Sequence, residues 1–239
     1  MNMKKNVRVI GFDADDTLWE NEPYFYDTTK RLCALLKDYA SCAQVEKMLY
    51  HTEVGNIQLY GYGAKSFILS MVETALNISD KQVSPAIISK IIELGKSLIN
   101  KPVKLIDGVH RVLDELYRKQ FRLIVATKGD LLDQERKLKK SGLAGYFHHI
   151  EIMSDKQEAD YQNLLDHLEV SPESFMMVGN SLKSDVLPVL RLGCHGVYVP
   201  FHTTWKHEEI DERDWSHPGL IEVESIAQIP QLIRDKNQN

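Results

Sequence analysis

The sequence predicts an α/β chain, a doubly wound parallel sheet interrupted by an inserted block of helices. Three observations lead there. Val7–Phe12 is a short apolar run, rich in β-branched residues, that delivers Asp13, Asp15, Asp16 and Thr17 into a loop. Residues from about 22 to 100 carry apolar positions at helical spacing, with no convincing strand among them. From about Leu105 onward, strand-like runs alternate with helical ones, the pattern of a parallel sheet covered by helices.

Taken in order, the first strand is expected at Val7–Phe12. Helices are expected over Asp27–Tyr39, Cys42–Thr52, Ala64–Leu76 and Ser84–Leu98, on apolar stripes such as Phe67, Ile68, Met71, Val72 and Ala75. Val109–Lys119 reads as a helix and Phe121–Ala126 as a buried strand. A helix over Asp130–Ser141 stops near Gly142. His149–Met153 is a strand, Asp160–Leu168 a helix, Phe175–Val178 a strand, Ser184–Leu192 a helix and Gly196–Val199 a strand. The tail after Arg234 is expected to fray.

The chain has 239 residues, of which 43% are hydrophobic, enough for one large domain or a domain with an insertion. A net charge of −5 and a pI near 6.0 give no basic excess for nucleic acid or an anionic membrane. No segment approaches the roughly 18 apolar residues that span a bilayer. Cys33, Cys42 and Cys194 lie apart without metal-site spacing, an odd and sparse set that suits a reducing cytoplasm rather than a disulfide framework. The expected protein is cytoplasmic.

Four strand ends supply polar residues: Asp13, Asp15 and Thr17; then Thr127-Lys128-Gly129-Asp130; then Ser154-Asp155-Lys156; then Gly179-Asn180-Ser181-Leu182-Lys183-Ser184-Asp185. In a parallel sheet these loops share one edge, where open α/β sheets bind ligands. Carboxylates packed so closely repel one another unless a cation or hydrogen bonds compensate, and hard cations such as Mg2+ take oxygen ligands. Two carboxylate clusters, a threonine at a helix start and a lysine suit a phosphate and a divalent cation.

This ordered set resembles the haloacid dehalogenase-like hydrolase superfamily, and more narrowly its phosphatases, over nearly the whole chain. The resemblance implies a Rossmann-like core at 1–19 and 102–239 and an α-helical cap domain at 20–101. It also implies residue roles. Asp13 is the nucleophile, forming an aspartyl-phosphate. Asp15 protonates the leaving oxygen and then activates water. Thr127 holds a phosphate oxygen, helped by amides at the following helix start. Lys156 neutralises the nucleophile and the phosphoryl charge. Thr17, Lys128 and Gly129 complete the phosphate or substrate contacts. Asp13, Asp15, Asn180 and Asp185 are the candidate Mg2+ ligands. Many relatives carry Asp where this chain has Asn180, which leaves the direct ligand open between Asn180 and Asp185.

In that superfamily the residue two after the nucleophile separates reactions. The 2-haloacid dehalogenases typically have tyrosine there, and phosphonatases usually lack a second Asp, so Asp15 suits phosphoryl chemistry. The expected activity is hydrolysis of a small phosphorylated metabolite. A phosphomutase and a non-catalytic phospholigand-binding protein are the alternatives, and the oligomeric state is left open. Gly55–Lys65 is either a substrate-facing cap loop or an ordinary connection between helices. Trp19, Glu20 and Asn21 sit at the first cap linker. Phe201–Glu208 reads as surface loop and packing, with a lining of the site entrance as the lesser alternative.

Overall fold

The computed structural model describes residues 7–211 and 217–233, so the tail expected to fray lies outside the described residues. The chain divides into two compact units.

The first unit, Met1–Glu20 with Val103–Lys128 and Lys137–Asn239, holds six strands: β1 (Val9–Phe12), β2 (Arg122–Lys128), β3 (His149–Met153), β4 (Phe175–Gly179), β5 (His195–Tyr198) and β6 (Leu220–Glu222). Every pairing is parallel and the spatial order is β3-β2-β1-β4-β5-β6. β1 is central, with Phe12 in register with Val125 on one side and Val178 on the other. Its side chains alternate between two cores. Ile10 and Phe12 pack with Leu123, Val125, Met176 and Val178, while Val9 packs on the other face with Ile124, Phe175 and Met177. Gly11 is small for a reason, since a Cβ there would meet Phe175 Cζ at 2.8 Å. Helix α5 (Val109–Arg118) closes the first core through Val109, Val112, Leu113 and Leu116.

Two features depart from the sequence expectation. β6 was not foreseen; three residues, none fully buried, leave too little alternation to read. The single helix expected over Ser184–Leu192 is instead a five-residue π turn, Leu182–Val186, followed by the short helix α8 (Leu187–Arg191). Pro188 has no N–H to give the carbonyl of Ser184, four residues back. That carbonyl accepts the hydroxyl of Tyr161, on helix α7 (Glu158–Leu168), at 3.0 Å.

The second unit, Asn21–Pro102 with Gly129–Arg136, is helical: α1 (Glu22–Leu35), α2 (Cys42–Tyr60), α3 (Ala64–Ile78) and α4 (Pro85–Ile99), joined by the first turns of α6 (Leu131–Ser141). Leu32, Leu36, Val45, Leu49, Phe67 and Met71 are among the residues of its own apolar core. Ser84 caps α4 by accepting from Ile87 N at 3.3 Å. A Cβ on Gly95 would lie 2.2 Å from Ile68 Cγ1, so α3 and α4 approach closely there.

Two expectations are corrected in this unit. Gly55–Tyr60 is not loop but the last turns of α2, and the connection to α3 is only residues 61–63; Gly55 meets no steric or conformational demand that would end the helix. Cys33 and Cys42 are not unpaired, because the turn from α1 to α2 brings their Cα atoms to 4.9 Å and the sulfurs form a disulfide, leaving Cys194 as the free thiol. No helix among the described residues is long and apolar enough to cross a membrane.

Glu53 on α2 carries a prediction. Burial pushes its carboxyl up from 4.5 to about 8. The folded state therefore keeps a proton that the unfolded chain releases, and stability falls as pH rises between those values. Glu53→Gln removes the penalty. Its melting temperature should match wild type near pH 5 and exceed it by about 5 °C at pH 9, measured by thermal unfolding at both pH values.

Candidate active site

β1 ends in the sequence Asp13-Ala14-Asp15-Asp16-Thr17, which turns sharply. Asp13 N donates to Val178 O at 2.9 Å, extending the β1–β4 ladder by one residue. The Ala14 carbonyl then accepts from Leu18 N at 2.8 Å, and Asp16 takes a left-handed φ of 62°. Asp16 is therefore a turn residue, and the turn aims the side chains on either side of it.

Asp13 is 7% exposed. Its Oδ1 accepts from Lys156 Nζ at 2.5 Å and its Oδ2 from Thr17 Oγ1 at 3.2 Å. Lys156, 1% exposed, also donates to Asp185 Oδ1 at 2.6 Å. One buried ammonium thus joins two carboxylates from different strand ends. Burial disfavours the charge on Lys156, but Asp13 and Asp185 overcome it and hold the ammonium well above its usual range. Burial lifts Asp13 from 3.8 to about 7 against the pull of Lys156, with Asp185 adding like-charge repulsion.

Both oxygens of Asp185 have hydrogen-bond partners. Its Oδ2 accepts from Ser181 N at 2.9 Å while Oδ1 faces Lys156. Gly179 makes room for it, because a Cβ there would lie 2.2 Å from Asp185 Oδ2. Asn180 lies elsewhere. Its amide end sits 3.1 Å from Thr17 Oγ1, 3.3 Å from Asp13 Oδ2 and 3.1 Å from the Asp15 carbonyl oxygen. With the amide nitrogen turned inward, its two hydrogens are shared among these three acceptors. With the oxygen turned inward, Asn180 joins Asp13 Oδ2 and the Asp15 carbonyl in an oxygen cluster that a hard cation would satisfy. These oxygens are of a type that suits a divalent ion, while Asp185 is hydrogen-bonded to Lys156 and to Ser181 N.

The Asp15 carboxylate has donors of its own. Lys137 Nζ donates to Oδ1 at 2.6 Å and Oδ2 at 2.8 Å, and Trp19 Nε1 donates to Oδ1 at 2.7 Å. Trp19 is thus more than packing at the linker. It is 1% exposed and bridges to Leu105, where the outgoing and returning segments run antiparallel and Ile106 N donates to Leu18 O at 3.0 Å. Glu20 pairs with Lys104 at 2.6 Å on the same segments.

The last turns of β2 place Thr127, 2% exposed, and Lys128 beside each other. Thr127 Oγ1 donates to Lys128 O at 3.2 Å. Lys128 Nζ donates to Ser184 Oγ at 3.0 Å and to Glu208 Oε1 at 2.6 Å. Gly129 follows with φ +119°, and a Cβ there would meet the Gln134 side chain at 3.1 Å. The structure therefore brings Asp13, Thr17, Lys156, Asn180 and Asp185 into one bonded set, and Lys128 into a second set around Ser184.

Two groups of residues escaped the sequence reading. Lys137 is one lysine in a basic helix stretch, and nothing local marks it. Glu208 lies in the segment read as surface loop, yet it reaches Lys128, Ser181 and Ser184. Lys183 in the same motif is half-buried and donates to the His207 carbonyl at 2.7 Å.

Residues 7–193 match the family model described as a haloacid dehalogenase-like hydrolase. The chain is similar to N-acylneuraminate-9-phosphatase of Mus musculus (32% identity over 148 residues, 59% of this chain) and of Rattus norvegicus (30% over 147 residues, 59% of this chain). Those matches span 56% of the length of the curated relatives. Among solved structures, it is similar to a haloacid dehalogenase-like family hydrolase from Xanthomonas campestris, at 33% identity and a TM-score of 0.86, covering 97% of this chain and 92% of that one. With a family model over most of its length and a full-length structural relative at this identity, the chain belongs to the haloacid dehalogenase-like hydrolases.

Proposed function

We propose that this protein is a Mg2+-dependent phosphomonoesterase acting on a small phosphorylated metabolite, with Asp13 as the nucleophile. One observation carries the reading. A carboxylate at the end of the central strand is gripped on one oxygen by a buried ammonium and faces, on the other, a set of oxygens suited to a cation.

Asp13 attacks the phosphorus in line, forming an O–P bond as the ester O–P bond breaks, and the alkoxide leaves with a proton from Asp15. Water then attacks the aspartyl-phosphate, with Asp15 taking its proton, and inorganic phosphate departs. Lys156 holds Asp13 in place and offsets negative charge as the nucleophile and phosphate approach. Thr17 orients the second Asp13 oxygen. Thr127, Lys128 and Gly129 border the phosphate. Asp13, the Asp15 carbonyl and Asn180 hold Mg2+, and Asp185 supports it through Lys156. When bound, the ion supplies the positive charge that lets a carboxylate and a phosphate dianion come together. Lys137 and Trp19 position Asp15 as a carboxylate, and Asp15 takes up a proton from solvent and releases Lys137 before it acts as the acid.

The similarity to N-acylneuraminate-9-phosphatases makes a phosphorylated acidic sugar the first physiological substrate to try. The primary test is release of inorganic phosphate from an aryl phosphate with Mg2+ and with EDTA. Mg2+-dependent release is expected. An isomerised product that retains its phosphate would favour a mutase instead, and tight phospholigand binding without turnover would favour a binding protein.

A further inference from the structure

We propose that Glu208 is a positioning residue that locks the Lys128 and Ser181–Ser184 side of the active site, so that the turn carrying Asp185 keeps its shape. The inference rests on the phosphatase reading for its kinetic consequences, though not for its geometry.

Glu208 comes from the segment after β5, on a short 3-10 turn, Lys206–Glu208. Its side chain is only 14% exposed. One oxygen accepts from Lys128 Nζ at 2.6 Å, and the other accepts from Ser181 Oγ at 2.6 Å and Ser184 Oγ at 2.5 Å. The neighbouring bonds leave the serines no choice. Ser181 Oγ already accepts from Ser184 N at 3.0 Å, and Ser184 Oγ accepts from Lys128 Nζ at 3.0 Å. Each hydroxyl has one proton, and both protons go to Glu208. Neither serine is then a donor for phosphate, although both sit in the motif that closes the site.

The turn held this way is the π turn that carries Asp185. Ser181 supplies the N–H that fixes Asp185 Oδ2, and Asp185 in turn fixes Lys156 on Asp13. The chain of contacts runs from Glu208 through Ser181 and Asp185 to the nucleophile. Burial opposes the charge on Glu208, but Lys128 and the serine bonds hold its carboxyl down at about 2. Glu208 therefore stays ionised and neutralises Lys128.

The test uses Glu208→Ala and Glu208→Gln in the full chain, with two readouts: Mg2+ binding by titration calorimetry, and kcat and KM for an aryl phosphate. Glu208→Gln keeps an acceptor for the serines but turns an amide N–H2 toward Lys128, so it guards against simple misfolding. Both variants should bind Mg2+ at least fivefold more weakly and lose at least tenfold in kcat, with alanine the more severe. Adding Lys128→Met to Glu208→Gln should recover part of the Mg2+ affinity, because the amide no longer faces an ammonium. Wild-type Mg2+ affinity in both folded variants, or losses that add independently in the double variant, would overturn the proposal. If wild type binds Mg2+ yet releases no phosphate, the phosphatase reading fails while the binding arm still decides the role of Glu208.

Discussion

Asp13→Asn is expected to abolish phosphate release, with kcat down by about 10^4 or more, while leaving the fold in place. An amide has no anionic oxygen to form the acyl-phosphate bond, so no compensation by neighbours restores the step. The structural cost is small for three reasons. Asparagine matches the shape of aspartate. Lys156 keeps Asp185 at 2.6 Å as its counter-ion. Thr17 Oγ1 can go on donating to the oxygen that asparagine keeps. The melting temperature should therefore stay within about 3 °C of wild type. The paired measurement is a phosphate-release assay and a melting curve on the same preparation. Normal turnover in a clean, folded Asp13→Asn sample would remove Asp13 from the chemistry and the aspartyl-phosphate with it.

The sequence made the sheet legible because its central strands are buried on both faces and flanked by helices with strong stripes. β1, β2 and β4 read as apolar runs for that reason, and His149–Met153 was placed without error despite its half-buried pattern. Elements fixed by single contacts were harder. The π turn depends on Pro188 denying a bond to Ser184 and Tyr161 supplying another, which no window of periodicity records. The α1–α2 disulfide depends on how tightly two helices turn.

The candidate site divides along the same line. Asp13, Thr17, Lys156, Asn180 and Asp185 lie at or just beyond strand ends, so topology alone sends them to one edge. Lys137 and Glu208 reach the site from a helix side and a distant loop. Their identity depends on side-chain reach across the fold. Asn180 and Asp185 occupy one short motif, so the sequence does not tell their surroundings apart. Only the geometry separates an amide facing Asp13 and the Asp15 carbonyl from a carboxylate already paired with Lys156.

Lys156→Met separates the two duties of that lysine, catalytic and structural. Methionine fills similar volume in a site that is 1% exposed but leaves Asp13 and Asp185 without their shared cation. Turnover should fall by about 10^3 or more, because the nucleophile loses its anchor and the phosphoryl group its counter-charge. The stability loss should depend on pH. Lys156 is the main force pulling the Asp13 carboxyl down, so its removal raises that carboxyl above its present value of about 7. Wild-type Asp13 also keeps its proton up to about 7, so the deficit grows only as pH rises above that value, where the variant still holds a proton that wild type has released. In EDTA, the gap below wild type should be about 4 °C wider at pH 8 than at pH 5, because the two folded carboxyls differ in protonation only above about 7. Saturating Mg2+ should narrow the gap at pH 8, since bound metal stabilises the folded state by mass action. A deficit equal at both pH values would mean that Lys156 contributes packing alone, and the charge triad of Asp13, Lys156 and Asp185 would lose its place in the mechanism.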